Sequence, residues 1–408
     1  MDRFGPFLRS QKGQALPGLI ELRPGGEENG LSGEIGITPR DLSHLRLLEG
    51  ISAEKTLSRI GLIFTLCRMA QTTLAREAMG HAESRPLCEN DRRNAEWKIL
   101  KESLLESLRT VLTPPGGSFS SVDPVWKHFR SLSAGMPCEN PDTPFWKEFR
   151  WVCERSVFGG PSYGFWEMES PEHWDRWAQC GKEEETTPAS LFARDLIKED
   201  RIEPFHFPPL TRQKISEFLE LILDSLNSDH FLIRPHLGGV FHETGPKARM
   251  GSHPLVLSLE SANRPLASRL AARLLELAAW AEEGPLMAHK SLLFGITSKS
   301  PTSGTGMAWT ETARGVLIHQ ATVRMGQTES YRILAPTEWT FHPEGGPFKR
   351  WTGPHPGSPS SRPGKKTVAA NGRSPCLDQS LWIFDPCTPV QFVEEEKMGP
   401  NTGETMGQ

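Results

Sequence analysis

At 408 residues, with 37% hydrophobic and 24% charged side chains, the chain is long enough for a large core or two to three domain-sized units, which excludes a small stapled module. Lys and Arg number 46 against 50 Asp and Glu, a formal charge of −4, so no net field favours nucleic acid or anionic lipid, and neither is expected as a partner. Seven cysteines without a single CxxC pair argue against a disulfide framework and a zinc ribbon, and the absence of a signal-like or membrane-length apolar run leaves reduced thiols in the cytoplasm as the expectation.

Residues 1–50 read as a small β element: Ile20, Leu22, Ile35 and Ile37 are strand positions, and Pro24-Gly25-Gly26 and Asn29-Gly30 are turns. From Ser52 to His81 the apolar residues Leu57, Ile60, Phe64, Cys67 and Leu74 recur at three- and four-residue spacing, which predicts a helix, and Glu96 to Leu112 repeats the pattern. A near-repeat follows, Pro124-Val-Trp-Lys-His-Phe-Arg130 against Pro144-Phe-Trp-Lys-Glu-Phe-Arg150. Two copies are too few for a solenoid, and the pair reads as two short amphipathic helices docking Trp and Phe on one core rather than as an aromatic ligand platform. Arg212–Leu226 and the Leu- and Ala-rich Leu266–Glu283 are expected to be core helices. Gly315–His319 and Tyr331–Ala335 suit buried strands joined by a turn at Gly326. The division expected is the β element, a helical core over 51–345 with an embedded β hairpin, a Pro/Gly-rich excursion over 346–380, a C-terminal segment over 381–393 and a disordered tail over 394–408.

Taken residue by residue, the chemistry is sparse. Cys67 on an apolar helix face reads as an inert buried thiol, and Cys387 either ligates metal or simply packs. His230, His236, His242 and His253 share a segment without the i, i+4 spacing of a helical metal pair. Glu311 and Arg314 are explained as well by an Arg–carboxylate bridge as by a site. The sequence has no dinucleotide or nucleotide phosphate loop, nucleophile elbow or zinc-protease motif.

Four separated segments, in order, resemble the large subunit of nickel–iron hydrogenases. Cys67-Arg-Met-Ala-Gln71, with Ala75 and Glu77 beyond it, is similar to the N-terminal CxxCxxxH segment, and Glu243-Thr-Gly-Pro-Lys-Ala-Arg249 to the GPLAR segment. Glu311-Thr-Ala-Arg314-Gly315-Val-Leu-Ile-His319, followed by Tyr331 and Pro336-Thr337-Glu-Trp339, is similar to EAPRGxLxH…Y…PTxW, and Phe384-Asp385-Pro386-Cys387 to the terminal DPCxxCxxH. The resemblance implies a mainly α (α+β) fold, the large-subunit helical bundle with small β elements.

The departures bear on function. Phe64, Gln71, Val390 and Val393 stand where the family has its first Cys, first His, last Cys and last His, so one thiol survives from each pair. Phe and Val have no donor atom, so a four-thiolate nickel site cannot form, no nickel is expected, and neither is enzyme activity. Such a nickel-incompetent relative resembles the HupK/HoxV-type hydrogenase maturation proteins. That resemblance implies a scaffold or carrier for the iron–cyanide–carbonyl unit, with Cys67 and Cys387 as the iron ligands. Arg314 and Thr337 would then grip the cyanides, and Asp385 would hold the Arg314 guanidinium, although Ala313 replaces a Pro of that pocket. A HypC-type chaperone, its assembly partners and the hydrogenase large-subunit precursor are the implied partners. The alternatives are a metal-free chaperone or interaction protein for that precursor, and a residual metalloenzyme with Glu and His ligands.

Overall fold

The computed structural model describes residues 19–25, 33–113, 124–179, 186–199, 205–352 and 375–393. The expected tail over 394–408 and most of the 346–380 excursion lie outside these residues. What is described of the excursion is helical at both ends, Pro347–Thr352 and the start of Pro375–Phe384.

Helix dominates, organised around Pro265–Glu283. This helix is apolar on nearly every side and is buried from Pro265 through Ala281, as an all-round apolar helix must be. Its three buried charged residues are paired: Arg269 with Glu243 at 2.7 Å, Glu276 with Arg249 at 2.6 and 2.8 Å, and Arg273 with Asp385 at 3.1 Å. The central helix thus holds both the 243–249 segment and Asp385 by buried ion pairs. The near-repeat forms two short helices, Pro124–Ala134 and Pro144–Val152. Phe145, Trp146 and Phe149 of the second are buried, and Trp146 stacks on Trp280 of the central helix with ring centroids 5.8 Å apart.

Strands β1 (Ile20–Gly25) and β2 (Gly33–Thr38) pair antiparallel, with Leu22 opposite Ile37. The expected hairpin is the C-terminal half, β5–β6, of a larger unit, the antiparallel meander β3 (Ile296–Thr302), β4 (Thr305–Thr312), β5 (Gly315–Arg324) and β6 (Gln327–Leu334). Met325 and Gly326, both with positive φ, form the tight turn between β5 and β6. A further strand, β7 (Val390–Phe392), pairs parallel with β1, so the segment after Cys387 is stitched to the N-terminal element.

The helix expected from Ser52 to His81 is two helices, α1 (Ala53–Ile63) and α2 (Arg68–Ala82), broken at Phe64–Cys67. The apolar spacing runs through the break because both helices bury the same stripe against the meander. α2 lies so close to β4 that a side chain at Gly306 would strike the Ala78 carbonyl at 1.9 Å. α3 (Glu89–Leu112) packs beside α2, and Arg212–Glu217 and Leu219–Ser225 replace the single helix expected over Arg212–Leu226. Among the described residues no helix is long and apolar enough to cross a membrane.

Candidate functional site

The break between α1 and α2 puts Cys67 at a corner. Its backbone is left-handed (φ 52°, ψ 34°), a conformation most side chains avoid, and it occupies the N-cap of α2. An N-cap residue ordinarily turns its side chain back onto the first free amides; Cys67 does not. Glu102 of α3 does that work instead, accepting from the amides of Met69 (2.8 Å) and Ala70 (3.1 Å), where the helix dipole favours a carboxylate. The Cys67 sulfur is left for the cavity beside it.

Cys387 arrives from the other end of the sequence. The helix Pro375–Phe384 ends at Asp385, whose positive φ of 45° reverses the chain. Thr337, at the start of the short helix Pro336–Thr340, accepts the Cys387 amide at 3.1 Å and donates its hydroxyl to Cys387 Sγ at 2.7 Å. Cys67 and Cys387 then line one cavity of about 350 Å3 together with Phe64, Gln71, Arg314 and Arg40.

Arg314 sits in the two-residue turn between β4 and β5, where glycines let the backbone pass. A side chain on Gly245 would meet the Arg314 carbonyl at 2.6 Å, and one on Gly315 (φ 132°) would meet Thr244 at 2.4 Å. Thr312 closes the turn, accepting the Arg314 amide at 3.3 Å and donating to the Gly315 carbonyl at 2.9 Å. The guanidinium is held on three sides. Nε donates to the Asp385 carbonyl (3.0 Å), and Nη2 donates to the carboxylates of Asp385 (3.2 Å) and Glu106 (3.1 Å). Nη1 donates to Cys67 Sγ at 3.4 Å. Four of the five N–H groups are therefore engaged, and the fifth is on Nη1, the nitrogen at the cavity.

The five residues singled out in the sequence therefore meet, though not all in the expected roles. Cys67, Cys387 and Arg314 line the cavity; Asp385 stands behind Arg314 and also takes Arg273 at 3.1 Å; Thr337 stands behind Cys387 with its one hydroxyl hydrogen on the sulfur. The Glu311–Arg314 bridge does not form. Glu311 turns the other way and receives Arg249 Nη1 at 2.7 Å and the Arg212 amide at 2.8 Å.

Sequence reasoning missed Arg40, which lines the cavity and pairs with the buried Glu338 carboxylate. Glu338 was visible as the third residue of Pro336-Thr-Glu-Trp339, whereas nothing in the local pattern marks Arg40. Gln71 is joined to a chain of buried groups: its Oε1 lies 2.9 Å from His319 Nε2, and His319 Nδ1 lies 2.7 Å from the Tyr331 hydroxyl.

Burial governs the protonation states. It pushes the Cys67 thiol well above its ordinary value, and the nearby Glu102, Cys387, Glu106 and Asp385 act in the same direction. Burial also raises Cys387, against the opposing pull of the Arg40 cation. His319 is pushed down to about 3 by burial and is neutral. Glu102 is pushed up to about 7, burial outweighing the amides it accepts. Phe64 offers the cavity only carbon, and Val390 is 5% exposed inside β7 opposite Ile20. Neither position where the resemblance puts another thiolate carries a donor, and the side chains do not fit a nickel site. Among the described residues no group of three or more His, Cys, Asp or Glu side chains could hold a metal ion.

The chain is 30% identical over 382 residues to the hydrogenase expression/formation protein HupK of Rhizobium leguminosarum bv. viciae, covering 88% of this chain and 91% of that one. It belongs to the HupK family. The hydrogenase expression/formation protein HoxV of Cupriavidus necator is 27% identical over 361 residues, 81% of this chain and 86% of that one. No protein-family model matches the chain. Among solved structures, the Ni-Fe-Se hydrogenase of Desulfomicrobium baculatum shares the fold, with a TM-score of 0.53 at 13% identity, over 89% of this chain and 95% of that chain. The fold of this HupK relative is thus mainly α with small sheets, similar to a nickel–iron hydrogenase large subunit.

Proposed function

We propose that this chain serves hydrogenase maturation as a scaffold or carrier for the iron–cyanide–carbonyl unit, held between Cys67 and Cys387 and handed on to the large-subunit precursor. One observation carries the reading: two thiols distant in sequence face one cavity, each already met by a hydrogen-bond donor, Arg314 on Cys67 and Thr337 on Cys387. Those donors stabilise sulfur as a thiolate, the form that binds low-spin iron. Both thiols are protonated in the chain without cargo, so forming two iron–sulfur bonds expels two protons, one from each Sγ. The remaining Arg314 N–H and the Arg40 guanidinium give an anionic iron unit donors on two walls, each guanidinium balanced behind by carboxylates, Asp385 and Glu106 for Arg314 and Glu338 for Arg40.

Two thiolates hold iron less firmly than four, which suits a donor that must let go. A HypC-type chaperone is the proposed source of the cargo, and the cytoplasm the proposed place. The test is anaerobic purification together with the maturation machinery, followed by iron analysis and infrared spectroscopy. Cyanide and carbonyl stretching bands with bound iron, both lost in Cys67→Ala and Cys387→Ala, are expected. Absence of iron and bands from the unaltered chain, or maturation that proceeds with both alanine variants, refutes the carrier and leaves a metal-free chaperone.

A further inference from the structure

The resemblance implies cyanide donors at Arg314 and Thr337, yet Thr337 has a single hydroxyl hydrogen and it rests on Cys387 Sγ. Gln71 is a further polar group on the cavity wall, which also carries Arg40, His44, Thr65, Thr312 and Thr388. It lies four residues beyond Cys67, its backbone N–H donating to the Cys67 carbonyl at 2.9 Å, and both residues line the cavity.

Which end of the Gln71 amide meets the cavity follows from the groups behind it. Tyr331 is fully buried and its hydroxyl has one partner among the described residues, His319 Nδ1 at 2.7 Å. A buried hydroxyl hydrogen without an acceptor is costly, so Tyr331 donates and Nδ1 accepts. His319 is neutral, so its one ring hydrogen is then on Nε2. That hydrogen needs an acceptor at 2.9 Å, and Gln71 Oε1 supplies it. The amide nitrogen is left for the cavity, with two N–H groups and no partner among the described residues.

We infer that Gln71 is a ligand-reading residue of the site, its amide N–H turned onto a cyanide nitrogen of the iron unit by the fixed order Tyr331 to His319 to Gln71. The inference rests on the carrier reading for its ligand, while the order of the three hydrogen bonds stands on the geometry alone.

The two parts separate in experiment. In the metal-free chain labelled with 15N-histidine, the His319 resonances, identified by their loss in His319→Gln, should show a protonated Nε2 and a bare Nδ1. The opposite tautomer overturns the orientation. In the chain loaded under maturation conditions, Gln71→Leu should shift the cyanide absorption, with the two coupled stretches moving together and one band moving most, and should speed iron loss roughly tenfold or more, as removal of a hydrogen bond to a charged ligand does. Gln71→Met, which keeps the length and lacks the donor, should do the same, so a folding defect peculiar to Leu does not decide the result. Tyr331→Phe frees the tautomer and should broaden or shift the same band. Cyanide bands that are present and unmoved by both Gln71 variants overturn the inference alone. An unaltered chain without cyanide bands ends the carrier reading, and with it the ligand assigned to Gln71, whereas the tautomer measurement still judges the orientation.

Discussion

Replacing Asp385 by Asn changes one oxygen to nitrogen where two buried guanidiniums converge. The carboxylate takes Arg314 Nη2 at 3.2 Å, Arg273 Nη1 at 3.1 Å and the Thr110 hydroxyl at 3.3 Å. In the Asp385→Asn variant one of the two acceptor ends becomes an NH2 facing a guanidinium, and a buried negative charge is lost beside two positive ones. Breaking a buried pair from one side costs about 3–5 kcal/mol, and the acceptor that Asn keeps places this change near about 3. With a urea dependence of about 3 kcal/mol per M, the midpoint of urea unfolding followed by Trp fluorescence should fall by about 1 M. The control is Glu329→Gln at the exposed pair with Arg324, where the side chains are 55% and 70% accessible. Screened by water, that pair contributes about 0–1 kcal/mol, so its midpoint should move by about 0.3 M or less. Equal midpoints for D385N and the unaltered chain would refute the claim that Asp385 anchors Arg314 and the central helix together.

Alkylation with iodoacetamide, read by mass spectrometry, should label the exposed Cys88 first and leave Cys67 and Cys387 largely unmodified at pH 7.5, because burial raises both thiols; labelling of Cys67 as fast as Cys88 would contradict this. The same raised thiols hold protons that the unfolded chain releases, so their contribution to stability is complete below the ordinary thiol pKa of about 8.5 and drains away as pH rises beyond it. Glu102, raised to about 7, disfavours the fold once ionised, so Glu102→Gln should unfold at higher urea than the unaltered chain at pH 8 and at a similar concentration at pH 4, and a loss at both pH values would mean that its bonds to Met69 and Ala70 outweigh its burial. Gly315→Ala, with a φ of 132° and Thr244 in the way at 2.4 Å, should lower the urea midpoint by about 1 M or more and weaken iron retention through displaced Arg314.

Much of the fold was legible wherever local pattern and burial agree. The Leu- and Ala-rich helix, the Pro-led pair of aromatic helices and the Gly326 turn all announce themselves through periodicity or turn chemistry. β3 did not, because it is an edge strand of polar residues with Pro301 in it, the composition of a loop. β7 did not, because three residues gain strand character only from a partner near residue 20. Cys67 read as mid-helix because the first amides of α2 are capped by Glu102 reaching over from α3, a contact absent from any local window. The resemblance to the hydrogenase large subunit located Cys67, Cys387, Arg314, Thr337 and Asp385, and the structure brings them to one place. It gave no hint of Arg40, whose worth depends on a cavity that sequence spacing does not draw.

The parallel pairing of β7 with β1 carries a consequence for the order of events in the cell. Residues near 20 leave the ribosome about 370 residues before their strand partners Val390–Phe392, and Cys387 stands just before that strand. Until then the cavity lacks one thiol, the Thr337 bond to it and the walls at Thr388 and Pro389. A nascent chain that has not reached this point, or a fragment clipped before Cys387, accordingly has no two-thiol cavity; on the proposed carrier function, only molecules whose synthesis has passed Phe392 could be loaded.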